Sequence, residues 1–332
     1  MGILRRARVA GLGVVALVGS GPVCVCAQTP QARHATQTPQ AAQTPRNREF
    51  LLRFGLKPGQ TFRYHGKIAG TGQMEMEGQS RPVAMTGEFD VVHRVEREKD
   101  GAFEVTTRFE RDKVTIQVAG EQKQTSRVGL PPLTRLITTT GRILSEQGWE
   151  KVPEAADSAL RVPVRWFSSH LAAAEFPDKP VKAGDSWAEQ VSAPAKAQEQ
   201  QAPFLALPGT GQARPIQQVT TFEGIEAVGG RECARLRTRT AVPFDMWLPE
   251  DPIGTRVHVK GEQQIESALF FDHARGAVLK QEASVHVKAE TEAHLQGVQE
   301  PIRARCDLIA KVTLELAASE GRRKAGGSAP SG

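Results

Sequence analysis

The run Leu56-Lys57-Pro58-Gly59-Gln60-Thr61-Phe62 returns 125 positions later as Val181-Lys182-Ala183-Gly184-Asp185-Ser186-Trp187. A chain that writes one turn and one strand start twice is committed to an internally repeated architecture. Two further anchors keep the same order: Asp100-Gly101 answers to Gly229-Gly230, and Gly141-Arg142-Ile143-Leu144 answers to Gly276-Ala277-Val278-Leu279. The offset grows from 125 to 129 to 135, as loop insertions between otherwise matched strands produce. Matched positions are turn residues (Gly59, Gly184, Asp185) or apolar strand residues (Phe62, Trp187). The repeat therefore specifies architecture and carries no nucleophile, base or metal ligand.

Between these anchors, apolar and polar residues alternate with period two, the pattern of half-buried antiparallel strands. Phe62, Tyr64 and Ile68 oppose Arg63, His65 and Lys67. Segments at 89–95 and 103–109 flank a Lys99-Asp100-Gly101 corner, and 217–228 and 231–242 flank Gly229-Gly230, both hairpin signals. Longer alternating runs follow at 257–271, 277–295 and 302–316; such lengths exceed the usual five or six residues and imply a large, twisted sheet. One helix interrupts the pattern. After Pro163, the residues Val164, Phe167, Leu171 and Ala174 fall at helical spacing up to Phe176-Pro177. The expected fold is mainly β: two tandem repeats of long antiparallel strands forming one curved sheet or two, with an amphipathic helix between them. The first repeat and the helix occupy 49–176 and the second repeat 177–316.

The ends read differently. Residues 1–27 carry a basic start (Arg5, Arg6, Arg8), an apolar core at 9–18 and a Val25-Cys26-Ala27 cleavage site, the layout of a cleaved secretory signal. Residues 28–48 repeat Gln-Thr-Pro in an aromatic-free stretch expected to be a disordered spacer, 194–215 reads as a long loop, and 317–332 as a disordered tail. No later stretch approaches the 18 or so apolar residues of a membrane-spanning helix. The high pI of 9.3 invites a nucleic-acid reading, but the excess sits at the ends. Without the three Arg of 1–27, the two of 28–47, and Arg322, Arg323 and Lys324 set against Glu320, the 43 basic and 37 acidic residues fall to 35 and 36. A near-neutral core does not support a nucleic-acid partner.

Cys24 and Cys26 leave with the signal, so Cys233 and Cys306 remain. An oxidising compartment favours a bond between them, which would stabilise by about 4 kcal/mol through loop closure. Strand phase opposes it: Cys233 alternates with Arg235, Arg237 and Arg239, whereas Cys306 shares its phase with Ile302, Leu308 and Val312.

Candidate chemistry is thin. Gly184-Asp185-Ser186-Trp187 looks like the Gly-Asp-Ser-Leu block of a hydrolase family, but the Asp-x-x-His that should supply its base occurs only upstream, at Asp90-Val91-Val92-His93. The first repeat also has Gly59-Gln60-Thr61 at the same place, so Ser186 is read as part of a turn. His286 and His294 share a strand face at a separation of about 26 Å, too far to bind one ion, and His258 and His273 are scattered. No catalytic, cofactor-binding or metal-ligating residue is assigned.

The signal, the Lys-x-Gly-Gln-Thr-Phe opening, the Gly-cornered hairpin, the restart at Phe176 to Trp187 and the long closing strands together resemble a group of uncharacterised secreted bacterial proteins. The resemblance spans about 49–316. It implies an address outside the cytoplasm and an architecture similar to the half-barrel sheets of periplasmic lipoprotein carriers, with no activity attached. The expected function is non-enzymatic binding of an apolar small molecule or lipid, or of another envelope protein, on a curved sheet. A structural or interaction module of the envelope is the alternative, and an extracellular hydrolase the third reading.

Overall fold

The computed structural model describes residues 48–118, 120–125, 132–148, 175–191, 216–247 and 254–317. The expected signal, most of the spacer, residues 163–174 of the expected helix, the 194–215 loop and the tail from 318 lie outside them. Glu175 and Phe176, the end of that expected helix, are not helical.

Among the described residues alternation becomes twelve strands: β1 (Thr61–Met76), β2 (Gln79–Lys99), β3 (Ala102–Val118), β4 (Glu121–Thr125), β5 (Leu133–Thr138), β6 (Ile143–Gln147), β7 (Ser186–Val191), β8 (Ile216–Val228), β9 (Arg231–Trp247), β10 (Arg256–Asp272), β11 (Ala277–His294) and β12 (Ile302–Leu316). All lie in one continuous antiparallel sheet, open at both edges, of order β6-β5-β3-β2-β1-β12-β11-β10-β9-β8-β7, with β4 also paired to β3. The question of one sheet or two is thereby settled as one.

The order repeats itself. β6-β5-β3-β2-β1 and β11-β10-β9-β8-β7 run in the same sequence across the sheet, and β12 fills the place between them. The hydrogen bonds repeat as well. In the first half Gly59 N donates to Val95 O, Gln60 N to Lys57 O and Val95 N to Gln60 O; in the second half Gly184 N donates to Phe222 O, Asp185 N to Lys182 O and Phe222 N to Asp185 O. Gly59 (φ 80°) and Gly184 (φ 96°) both take the left-handed conformation that a side chain disfavours. The pairing register slips just after Val95 and just after Phe222, and again between Leu136 and Ile137 and between Phe270 and Phe271. These two bulges therefore recur at their counterparts, whereas the further slip between Asp90 and Val91 belongs to the first half.

One sheet face is apolar. Tyr64, Phe89, Val91, Val312 and Leu314 form one buried cluster on it, and Met74, Val83, Cys306, Leu308, Ala289 and Val259 another. The opposite face carries ion pairs such as Arg237–Glu266 at 2.7 Å and Lys260–Glu290 at 3.1 Å. Residues 50–56 cross the apolar side as a strap. Phe50 and Val181 exchange backbone hydrogen bonds of 2.8 and 2.9 Å, Phe54 N donates to Thr139 O at 2.7 Å, and Phe176 N donates to Thr140 O at 2.8 Å. The strap thus ties the turn before β6, at one sheet edge, to the approach to β7 at the other. It also passes the β10–β11 turn with no room for side chains: Gly55 N donates to Gly276 O at 3.0 Å, and a Cβ on Gly276 (φ +65) would stand 1.9 Å from Gly55 N. Phe50 and Leu52 bury themselves against Phe222, Leu236, Leu269 and Phe271, worth roughly 2–3 kcal/mol for each side chain.

The bridge between the two cysteines does not form; both are buried free thiols. Cys306 is opposite Met74 and Ala289, Cys233 is opposite Glu226, and β10 and β11 stand between their strands. Three strand spacings alone separate them by about 14 Å, beyond the reach of a disulfide. Burial pushes the Cys306 thiol up to about 12 and the Cys233 thiol up to about 11, in each case with a neighbouring aspartate adding to the shift.

Candidate functional site

The candidate site is a cavity beneath the strap, in the first half of the sheet. Period two selects its walls, because only inward positions can reach it. β1 supplies Phe62 and Tyr64, β2 His93 and Val95, β3 Val105 and Thr107, and β5 Arg135 and Ile137. Phe54 and Leu56 of the strap, with Ala277 and Val278 of β11, close the other side. The enclosed space is about 60 Å³, within about 640 Å³ of unfilled volume that continues into solvent.

Two cross-strand rows build the polar corner. His93 lies opposite Phe62 on β1 and Thr107 on β3; Val105 lies opposite Val95 on β2 and Arg135 on β5, and Arg135 in turn faces Glu146 on β6. Arg135 Nε donates to Glu146 Oε1 at 2.6 Å, with the two side chains only 3% and 6% exposed. His93 Nδ1 and Thr107 Oγ1 are 2.8 Å apart. Tyr64 Oη donates to Val278 O at 3.1 Å, and burial raises its phenol well above the usual range. Burial, helped by the Arg135 charge, pushes His93 down to about 3, so the imidazole is neutral. Two nitrogens remain without partners: His93 Nε2 and Arg135 Nη2.

Among the described residues the second half has no such corner. Matching the registers, His93 corresponds to Thr220, Thr107 to Thr238, Val95 to Phe222, Val105 to Leu236, Arg135 to Leu269, Glu146 to Gln281 and Ile137 to Phe271. Phe222, Leu236, Leu269 and Phe271 pack with the strap into a filled core. The first half places smaller side chains at 95, 105 and 137, and a charged pair where the second has Leu and Gln. Phe103 and Ala234 reverse that trend, but Phe103 is not part of the cavity wall.

The residues singled out by the repeat serve the turns. Asp185 Oδ2 accepts from Lys182 N at 2.9 Å, as Gln60 Oε1 accepts from Lys57 N at 3.1 Å. Ser186 Oγ meets Thr221 Oγ1 at 2.8 Å on an exposed edge, so its partner is a second hydroxyl and not a base. Trp187 Nε1 donates to Glu175 O at 2.9 Å and to Glu189 Oε1 at 2.7 Å. Burial pushes the Glu189 carboxyl up to about 7, against the Trp187 hydrogen bond and aided by the Glu175 charge. His258 pairs with Asp245 at 2.6 Å and His286 with Asp307 at 2.7 Å. Among the described residues no group of three or more His, Cys, Asp and Glu is placed to hold a metal ion, and no helix is long and apolar enough to cross a membrane.

Sequence reading missed His93, Arg135 and Glu146, although the signal for two of them is present. His93 shares its phase with Val91 and Val95, and Arg135 with Leu133 and Ile137: each is a polar residue on an otherwise inward apolar stripe. Glu146 gives no such signal, because the bulge at Leu136–Ile137 shifts the pairing that turns it inward.

The geometry defines a class, an open antiparallel sheet with a strapped apolar face and a polar-cornered cavity. No family model matches the chain, and no curated protein matches it in sequence. Among solved structures it is similar to one described as lipid–protein interactions in lipovitellin, with TM-score 0.43 and 9% identity over 79% of this chain and 25% of that one. The chain thus spans about a quarter of the lipovitellin chain. A Bacteroides fragilis protein with a YmcC-like fold gives TM-score 0.15 and 9% identity over 78% of this chain and 98% of that one. A DUF1329 family protein from Desulfovibrio piger gives 0.15 and 7% over 77% and 86%. With all three scores below 0.5, what this cavity holds is read from its own residues.

Proposed function

We propose that this chain is a non-enzymatic binding protein of the cell envelope, exported through its N-terminal signal, that holds an apolar small molecule or part of a lipid under the strap. The observation that carries this reading is the contrast between the halves. One scaffold is built twice: among the described residues Val95, Val105 and Ile137 of the first half line a cavity, and at the matching places the second half packs Phe222, Leu236 and Phe271. Concave, mainly apolar spaces with a few fixed polar groups are the usual form of small-molecule sites. Export rests on the basic start, apolar core and cleavage site of residues 1–27. The hydrolase reading loses its support at Ser186, whose hydroxyl is engaged by Thr221.

Native mass spectrometry of the mature protein purified from its own host tests the proposal. An adduct of lipid or small-molecule mass is expected, and it should disappear in Val105→Leu, which puts the second half's residue into the cavity wall. A bare monomer, or an adduct indifferent to Val105→Leu, overturns the reading. A defined complex with another envelope protein would favour the interaction module instead.

A further inference from the structure

We infer that the cavity selects its ligand by an uncharged carbonyl oxygen, of the ester or amide type, received by Arg135 and His93 while the apolar remainder lies against Phe54, Leu56 and Val95. This rests on the binding reading above and names the chemistry of the ligand's head.

Three observations lead there. First, Arg135 and His93 are 3% and 8% exposed, both line the cavity, and each leaves one nitrogen unpartnered, Nη2 and Nε2. With Thr107 Oγ1 donating to His93 Nδ1, the tautomer the inference requires, Nε2 carries the ring proton and is a donor like Arg135 Nη2; a buried donor without an acceptor costs more than a hydrogen bond returns, so the site is complete only with an oxygen in the cavity. Second, the charges already cancel: Glu146 neutralises Arg135, and His93 is neutral. A carboxylate would add an uncompensated buried charge, at a cost of several kcal/mol, whereas a neutral carbonyl adds none. Third, the enclosed 60 Å³ has room for roughly four to six waters. That fits a carbonyl and a few carbons; a longer chain would continue through the mouth.

The second half supplies the control. Its residues at the corresponding positions are Leu269, Gln281 and Thr220, so Arg135→Leu with Glu146→Gln, and separately His93→Thr, replace the polar corner with side chains this scaffold already carries. Methyl hexanoate, methyl hexyl ether and hexanoate are titrated at neutral pH against the mature protein freed of any adduct, with ring-¹⁵N histidine NMR as the readout. Methyl hexanoate should bind more tightly than the ether by roughly tenfold or more, the worth of a hydrogen bond to a charged donor, and more tightly than hexanoate, and it should shift the His93 ring signal. In Arg135→Leu/Glu146→Gln the ester should lose that advantage while ether binding persists; His93→Thr should lose part of it. Equal binding of ester and ether overturns the inference and leaves apolar binding standing. Tighter binding of hexanoate overturns the preference for an uncharged head. If no probe binds, water completes the corner, and both this inference and the binding reading fail.

Discussion

The two halves of the sheet share strand order, turn hydrogen bonds and two of their bulges, and differ in what they enclose. Phe222, Leu236, Leu269 and Phe271 fill the second half beneath Phe50 and Leu52. At the matching places the first half has Val95, Val105, Arg135 and Ile137 around a cavity. A backbone that tolerates both linings shows that neither Arg135 nor His93 is needed to form the strands. Placing the Arg135 charge and the neutral His93 ring on an inward face is costly, which supports the binding reading proposed above.

The sharpest way to break this comparison is to remove half of the ion pair. Arg135→Leu takes the guanidinium away from the buried Glu146 carboxylate, and should cost about 3–5 kcal/mol in urea unfolding. Adding Glu146→Gln reproduces the Leu269–Gln281 pair of the second half and should restore most of the loss. If the single variant is as stable as the double one, the pair is not electrostatically coupled, and the halves differ only in shape.

The halves should also tilt stability in opposite directions with pH. His93 binds its proton at about 3 in the folded chain against 6.5 ordinarily. Between those values the unfolded chain holds more protons, so the term lowers stability as pH falls from 6.5 towards 3 and vanishes above that window. Glu189 is displaced the other way, to about 7 against 4.5. The folded chain keeps the proton longer, so its term lowers stability as pH rises from 4.5 to 7 and is absent below. Each slope is at most about 1.4 kcal/mol per pH unit, and the two oppose each other between 4.5 and 6.5. His93→Thr should expose a falling profile in that interval, and Glu189→Gln a rising one, both measured by thermal unfolding across pH. Unchanged profiles would mean that water reaches both groups.

The strap is common ground between the halves, and its close passage sets the next effect. Gly276→Ala drives a methyl into Gly55 N at a positive φ, a strain of roughly 1–3 kcal/mol. The backbone must move or the strap must lift. Faster hydrogen exchange at the Phe50, Phe54 and Gly55 amides is expected, whereas unchanged protection would show that the strap is not held by this contact.

How much of this was legible beforehand follows from locality. Turn glycines, alternating strands and the repeat are written in neighbouring residues, so the β architecture and the structural roles of Gly59, Gly184 and Asp185 could be read directly. Strand phase likewise argued against pairing Cys233 with Cys306, and the intervening β10 and β11 now separate them. The cavity was not legible. It depends on which strands become neighbours: Arg135 meets Glu146 through a bulge, and the strap that roofs the site is brought there by bonds to Thr139, Val181 and Gly276. His93 was seen only as part of a misplaced hydrolase motif, and its inward phase was the clue passed over.

The smallest effect tests whether the two turns are energetic equals as well as geometric ones. Gln60 and Asp185 make the same bond to the backbone N–H three residues earlier, at 3.1 and 2.9 Å. Both side chains are near the surface, so each Ala variant should cost only about 1 kcal/mol. A carboxylate accepts more strongly than an amide oxygen, which makes Asp185→Ala the more damaging of the two at neutral pH. A turn that began as a repeat would then have been strengthened by charge at the sheet edge, where β7 has one neighbour among the described strands, and left neutral at β1, which β2 and β12 hold from both sides. Equal costs would show that the backbone bonds alone set these corners.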